Sequence, residues 1–312
     1  MYDVTFAGNV VRALKRIANL RFTYQLRKTC LANNPRKDQI SYLCAYNNDM
    51  FGNLFKAMAF ALLLMPVFSP VYADAQKADG NVYTRGGITQ MNPQERKVAL
   101  VFTGADMADG ADTILSTLKR YRIRGHFFFT GRFFEKFPDV VRRLLKDKHY
   151  VSCHGYSHLL YFPWDRSDTM LVSREEFRRD MEKAYETMAT FGIKKKKAYY
   201  FVPPFEHFND TISAWAKEMG LQLINNTYGT LTYGDYTTPD MARYYSSDYI
   251  MERTMRMAGE EPHGINGHIL LIHFGTSERR TDKFYNRLPQ LIENLKKMGY
   301  EFADLSKVIP KP

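Results

Sequence analysis

Tyr150-Val151-Ser152-Cys153-His154-Gly155-Tyr156-Ser157-His158 runs from a short apolar segment into two histidines four residues apart. The first four residues read as a buried strand. Such strands, near-continuously apolar, belong to parallel sheets covered on both faces. Imidazole is the commonest neutral metal ligand, so a close pair at a rigid strand end can bind one ion without ordering much backbone. The same spacing also describes two polar loop residues. What separates the readings is whether other strands bring further chemistry to the same place.

Working outward, the same unit recurs. Residues 97–102 form a β-type run, followed by a Gly/Asp-rich loop over 103–112 in which Asp112 reads as a helix cap. Ile114, Leu115, Leu118 and Tyr121 then share one helical face, and 125–129 is a second strand. Pro138 opens a helix carrying Val140, Val141, Leu144 and Leu145 ahead of the histidine strand. Downstream, Ser173 precedes a helix with Phe177, Met181, Tyr185 and Met188 at helical spacing. Residues 198–202 form a fourth strand ending at Pro203-Pro204. A helix capped by Asp210 and stopped by Gly220 follows, with a fifth strand over 221–225. Residues 226–265 are loop-rich with a helix near 248–258. Then come a sixth strand (268–273), a helix (284–298) and a last strand (300–303). Strands alternating with helices imply an α/β fold with parallel pairing, and seven or so units fit a closed or nearly closed (β/α) barrel better than an open sheet, though periodicity alone does not separate the two. Functional groups then belong at the C-terminal ends of the strands.

The composition is that of a globular protein, 45% hydrophobic and 14% aromatic. The net charge of +11 is concentrated upstream: eight Lys/Arg against three Asp in residues 1–49 supply five of the eleven charges. The remainder is spread over surface helices, which argues against nucleic-acid binding. Three cysteines make no disulfide framework, and Cys153 reads as strand packing. Residues 50–75 have the pattern of a secretory signal peptide. A short positive start leads to an apolar core too short to span a bilayer, then to the small-residue site Val71-Tyr72-Ala73. Translation beginning at Met50 would make residues 1–49 an over-extended, non-native or disordered N-terminal extension; a cytoplasmic extension before a signal anchor is the alternative. A secreted or periplasmic protein without a stable membrane span follows, with residues 76–95 as an irregular lead-in and 96–312 as the barrel domain.

Polar chemistry collects at four strand ends: Asp106, Asp109 and Asp112; His154 and His158; Pro203-Pro204-Phe205-Glu206-His207; and His273. Two histidines and an aspartate leave an open coordination position for water, a composition suited to a hydrolytic metal centre. Asp106 and Asp109 equally suit turn formation in a Gly-containing loop. The order of Thr113-Ile114-Leu115, Gly125-His-Phe-Phe-Phe-Thr-Gly131, His154-Gly-Tyr-Ser-His158, Val202-Pro203-Pro204-Phe205 and Leu271-Ile272-His273 resembles the polysaccharide deacetylase family. This is the NodB-homology domain, carbohydrate esterase family 4, and the resemblance covers roughly residues 96–305.

The resemblance implies a distorted (β/α)7 barrel, a divalent metal (often zinc), and hydrolysis of N- or O-acetyl groups from an acetylated polysaccharide. It assigns His154 and His158 to the metal and His273 to the general acid, with Pro204 and Phe205 in the groove wall. Three departures mark a divergent branch. The paired aspartates of the family's first motif are here Thr103-Gly104, its Arg before Pro-Pro is Val202, and its Asp/Trp motif has no visible equivalent in 225–250. Asp109 (or Asp106) is then expected to complete the metal site and the other aspartate to act as base. Trp164, Pro204, Phe205 and Glu206 are expected to contact substrate. Tyr156, Tyr161, Phe208 and Tyr228 either stack on sugar rings or pack the barrel mouth. The competing reading is a catalytically impaired family member retained to bind carbohydrate.

Overall fold

The computed structural model describes residues 79–311; the readings of residues 1–49 and of the signal peptide lie outside them. The chain enters through an antiparallel hairpin, β1 (Val82–Thr84) and β2 (Gly87–Gln90). Arg85 and Gly86 at its tip both have positive φ, the two-residue geometry that matches strand twist. The repeating units follow: β3 (Lys97–Gly104), α1 (Ala111–Tyr121), β4 (His126–Phe129), α2 (Gly131–Lys136), α3 (Pro138–Lys146), β5 (Tyr150–Cys153) and α4 (Arg174–Ala189). The chain continues through β6 (Tyr200–Phe201), α5 (Asp210–Glu218), β7 (Gln222–Leu223), α6 (Ser247–Glu260), β8 (Ile269–His273), α7 (Leu288–Lys297), β9 (Glu301–Phe302) and α8 (Leu305–Val308).

Seven parallel strands make one curled sheet in the order β7-β6-β5-β4-β3-β8, with β9 paired to the start of β3. This is the distorted (β/α)7 barrel. Alternation along each strand divides the core in two. Leu100 and Phe102 on β3, Phe127 and Phe129 on β4, and Leu270 and Ile272 on β8 pack against the helices. Ala99, Val101, Phe128, Ile269 and Leu271 fill the barrel interior with Tyr150, Tyr200, Val202 and Ile224.

The lead-in is not irregular. The barrel is open between β7 and β8, and β2 stands in the gap. Ile88 bridges Ile224 in the parallel sense, Asn225 N–H donates to Ile88 O at 2.8 Å, and Met91 N–H donates to Gly267 O at 2.8 Å. Four residues containing a glycine are too short for a period-two signal, so β2 is visible only through its partners.

Local caps follow sidechain chemistry, with two corrections. Ser173 and Glu176 form a reciprocal capping box on α4. The cap of α5 is Asn209 rather than Asp210: its side chain accepts from Ile212 N–H at 3.0 Å. Asp112 caps nothing. Gly110 holds that position, and Asp112 sits in the first turn of α1 paired with Arg143 at 2.7 Å. Cys153 is fully buried, as packing requires.

At the N-terminal end of β8, His268 is buried, its Nδ1 has no hydrogen-bond partner among the described residues, and burial pushes its pKa down to about 4. A lowered folded-state pKa contributes stability that is fully present above the unfolded value near 6.5 and is lost as the pH falls toward 4. The melting temperature should therefore fall on acidification across that window, and less steeply in His268→Gln. Parallel pH–stability curves for the two proteins would refute this assignment.

Candidate active site

The inward register continues past the last residue of each strand and sets the floor of the site. Thr103 and His273 are direct partners in the β3–β8 register. His154 follows Tyr150 and Ser152 on the inner face of β5, and Val202 follows Tyr200 on β6. His154 Nδ1 lies 2.8 Å from Val202 O. A carbonyl only accepts, so Nδ1 carries the proton and Nε2 keeps its lone pair. Burial first, then the neighbouring His158, holds the His154 pKa well below the ordinary imidazole value.

His158 stands 5.0 Å from His154, ring centre to ring centre, and adopts a left-handed backbone at φ 58°. Burial and His273 lower its pKa to about 4 against the opposing pull of Asp106 and Asp180. Both rings are therefore neutral at pH 7. The turn between them is held by a carboxylate that sequence reasoning missed. Asp180, nearly buried on α4, accepts from Tyr156 N–H at 2.8 Å and from Ser157 N–H at 3.0 Å. The available signal was a charged residue on the apolar stripe of α4, three residues after Phe177 and one before Met181.

His273 has a partner that was also missed. Its Nδ1 is 2.6 Å from Asp235 Oδ1, and its backbone N–H donates to Asp235 Oδ2 at 3.0 Å. Asp235 is sealed from solvent. A buried carboxylate accepts and does not donate, so Nδ1 carries hydrogen and Nε2 is the exchangeable position. Burial of the ring disfavours the imidazolium, but the Asp235 charge and hydrogen bond, with Glu206, outweigh it and raise the His273 pKa. The loop carrying Asp235 is pinned by the fully buried Arg280, which donates to Thr237 O at 2.7 Å and to Ser247 Oγ at 3.1 Å. Asp235 thus supplies the carboxylate for which no equivalent was visible in 225–250.

The third side of the site is a 3-10 turn, Pro204–Glu206, in which Phe205 (φ 60°) and Glu206 (φ 54°) are both left-handed. Phe205 packs on His158 at 4.3 Å. Trp164, 66% exposed, stacks on His207 at 4.3 Å, which in turn lies 4.0 Å from Phe162. Tyr236, also exposed, reaches the His273 ring at 5.3 Å. The mouth is thus rimmed by flat apolar faces, while Tyr161 is buried beneath it as packing.

The expected acidic partners do not converge on the histidines. Asp109 accepts from Thr276 N–H at 3.0 Å and Tyr285 OH at 2.6 Å and pairs with Lys283 at 3.0 Å, tying its loop to the segment after β8. Asp106 is exposed, and of it only the charge reaches His158. Gly104 points outward, where an added Cβ would lie 3.0 Å from the Phe129 ring and 3.1 Å from Phe133. A divalent cation needs a third protein donor beside two imidazoles. Among the described residues, no three His, Cys, Asp or Glu side chains converge. The donor set as placed among the described residues therefore does not fit the metal that the resemblance implies, and Asp109 is engaged instead by Thr276, Tyr285 and Lys283.

Comparison with known proteins agrees with this architecture. Residues 90–224 match the family model described as polysaccharide deacetylase. The chain is 25% identical over 225 residues to a peptidoglycan-N-acetylglucosamine deacetylase of Bacillus cereus, covering 72% of this chain and 93% of the relative. It is 22% identical over 219 residues to the peptidoglycan-N-acetylmuramic acid deacetylase PdaA of Bacillus subtilis, covering 70% and 73%. Among solved structures, a carbohydrate esterase family 4 pseudoenzyme from Bacillus anthracis superposes with a TM-score of 0.57 at 20% identity, covering 73% of this chain and 70% of that one.

Two outcomes follow. Asp180→Ala should cost about 1–2 kcal/mol, since two partly buried N–H groups lose a charged acceptor. Denaturant unfolding measures the loss, and hydrogen exchange should show reduced protection at Tyr156 and Ser157. Gly104→Asp should destabilise by about 1–3 kcal/mol through overpacking against Phe129 and Phe133. Zinc titration of that variant should show no added stability; a large zinc-dependent rise in melting temperature would contradict the packing.

Proposed function

Because residues 90–224 belong to the polysaccharide deacetylase family, we propose that this chain hydrolyses the N-acetyl groups of an extracytoplasmic, acetylated polysaccharide. The observation that supports the reading most directly is the His273–Asp235 pair, which stands at the floor of an aromatic-rimmed mouth. Amide hydrolysis requires a proton on the leaving nitrogen, and an imidazolium whose pKa is raised above the ordinary value is suited to give it. Trp164, Phe205 and Tyr236 offer faces on which pyranose rings stack, and the neutral pair His154 and His158 forms the adjoining wall. The peptidoglycan substrates in the relatives' names make a β-linked N-acetylhexosamine polymer the first substrate to try. The signal-peptide pattern of residues 50–75 supports an extracytoplasmic location.

A second reading, glycan binding without turnover, is favoured by one specific feature: among the described residues, the two histidines have no third metal donor beside them. Acetate release from N-acetylglucosamine oligomers separates the two. His273→Asn should lower kcat about 10²–10⁴-fold, while Trp164→Ala should raise KM and leave kcat within a few-fold. Asp235→Asn removes the charge that raises the His273 pKa, so the alkaline limb of the pH–rate profile should move toward acid. No acetate release by the wild-type protein, with retention on a glycan column, would replace the hydrolase reading with the binder.

A further inference from the structure

Thr103 occupies the inward strand-end position beside His273, and its Oγ1 is buried without a hydrogen-bond partner among the described residues. A hydroxyl there cannot accept a proton at neutral pH, so hydrolysis at this mouth needs a carboxylate from another element. Asp109 is bound to Thr276, Tyr285 and Lys283, Asp180 to the histidine turn, and Asp235 to His273. Asp106 is exposed in its loop. Glu206 differs from all of these. Its Oε1 is enclosed and has no hydrogen-bond partner among the described residues.

We propose that Glu206 is the general base of this site, a carboxylate supplied by the turn after β6 in place of the aspartate missing from the end of β3. The proposal rests on the deacetylase reading above and names a residue for its base. Three observations converge on it. Glu206 sits at the end of the turn whose Phe205 packs on His158. It is close enough to His273 and Asp235 for each charge to act on its carboxyl, and Tyr228 and Tyr236 in turn feel its charge. Its backbone is held at φ 54° directly after Phe205 at φ 60°, an arrangement glycine would adopt without strain. The turn is fixed from both sides: Glu206 N–H donates to Pro203 O at 3.0 Å, and Asn225 Nδ2 donates to Glu206 O at 2.7 Å.

Burial, with Asp235 adding to it and His273 opposing it, raises the Glu206 carboxyl to about 7, within reach of a neutral-pH proton transfer. In the reaction, the Glu206 carboxylate takes a proton from water as the water oxygen bonds to the acetyl carbon. When the tetrahedral intermediate collapses, the C–N bond breaks, its electron pair goes to nitrogen, and the His273 imidazolium supplies the proton there. Acetate and the free amine leave, and the proton on Glu206 returns to solvent or to His273. The two groups divide base and acid roles as pairs of unlike environment do in other hydrolases.

The experiment compares wild type, Glu206→Gln, Glu206→Asp and Glu206→Gly on N-acetylglucosamine pentamer, following acetate against pH together with thermal unfolding. Glu206→Gln should lower kcat 10²–10⁴-fold, keep KM within a few-fold and abolish the acidic limb, while Glu206→Asp retains part of the rate. Glu206→Gly should be as inactive as Glu206→Gln yet melt higher than wild type, because glycine relieves the left-handed backbone and a buried carboxyl is removed. Nuclear magnetic resonance titration should show the His273 pKa falling in Glu206→Gln. Acetate release by Glu206→Gln at the wild-type rate and pH profile overturns this proposal and leaves the deacetylase reading standing. A lower melting temperature for Glu206→Gly overturns it too, assigning Glu206 to holding the turn. Absence of release by the wild type overturns both.

Discussion

Parallel pairing of β3 with β8 in the register Val101–Leu271, Thr103–His273 is the constraint on which the site depends. Side chains alternate between faces, so this register sends Ala99, Val101, Ile269 and Leu271 into the barrel and the next inward residues, Thr103 and His273, to its rim. A slip of one residue would turn His273 into the helix layer and bring Ile272 to the mouth. Close packing on both faces opposes that slip, because Leu270 and Ile272 against the helices would have to exchange places with Ile269 and Leu271 in the barrel interior, overpacking one layer and leaving voids in the other.

Above this floor, the loops are held by buried carboxylates. Asp180 takes two backbone N–H groups of the histidine turn, and Asp235 takes one backbone N–H and the ring of His273. A buried charge is tolerated only when it is paired and hydrogen-bonded, so each carboxylate enforces the loop geometry around it. The fully buried Arg280 has the same role for the segment bearing Asp235. Trp164, Phe205 and Tyr236 stand exposed on this rigid base.

The rewritten strand end has been absorbed structurally. Gly104 faces Phe129 and Phe133, which stack at 3.9 Å and leave no room for a side chain. Asp109, one of the two acidic substitutes in the loop that follows, is held by Lys283 and Tyr285. The carboxylates of this barrel are thus distributed with none at the end of β3, one behind His273 and one in the turn after β6.

The alternating strands and helices, and the strand ends at which His154, His158 and His273 stand, were legible in the chain because they depend on local periodicity and short spacings. Ser173 was read as a cap for the same reason; Asn209 displaced Asp210 by a single residue because either oxygen suits the position until the backbone turns. Asp180 and Asp235 meet their partners from 23 and 38 residues away, and Asp109 meets Tyr285 from 176. Contacts over such separations are created by the closure of the sheet and have no periodic trace. The hairpin strand β2 is of this kind too, since its hydrogen bonds go to residues near 225 and 267. Sequence alone determined the barrel and its imidazoles; only the tertiary structure decided which carboxylates stand beside them, because a carboxylate's role is set by what encloses it.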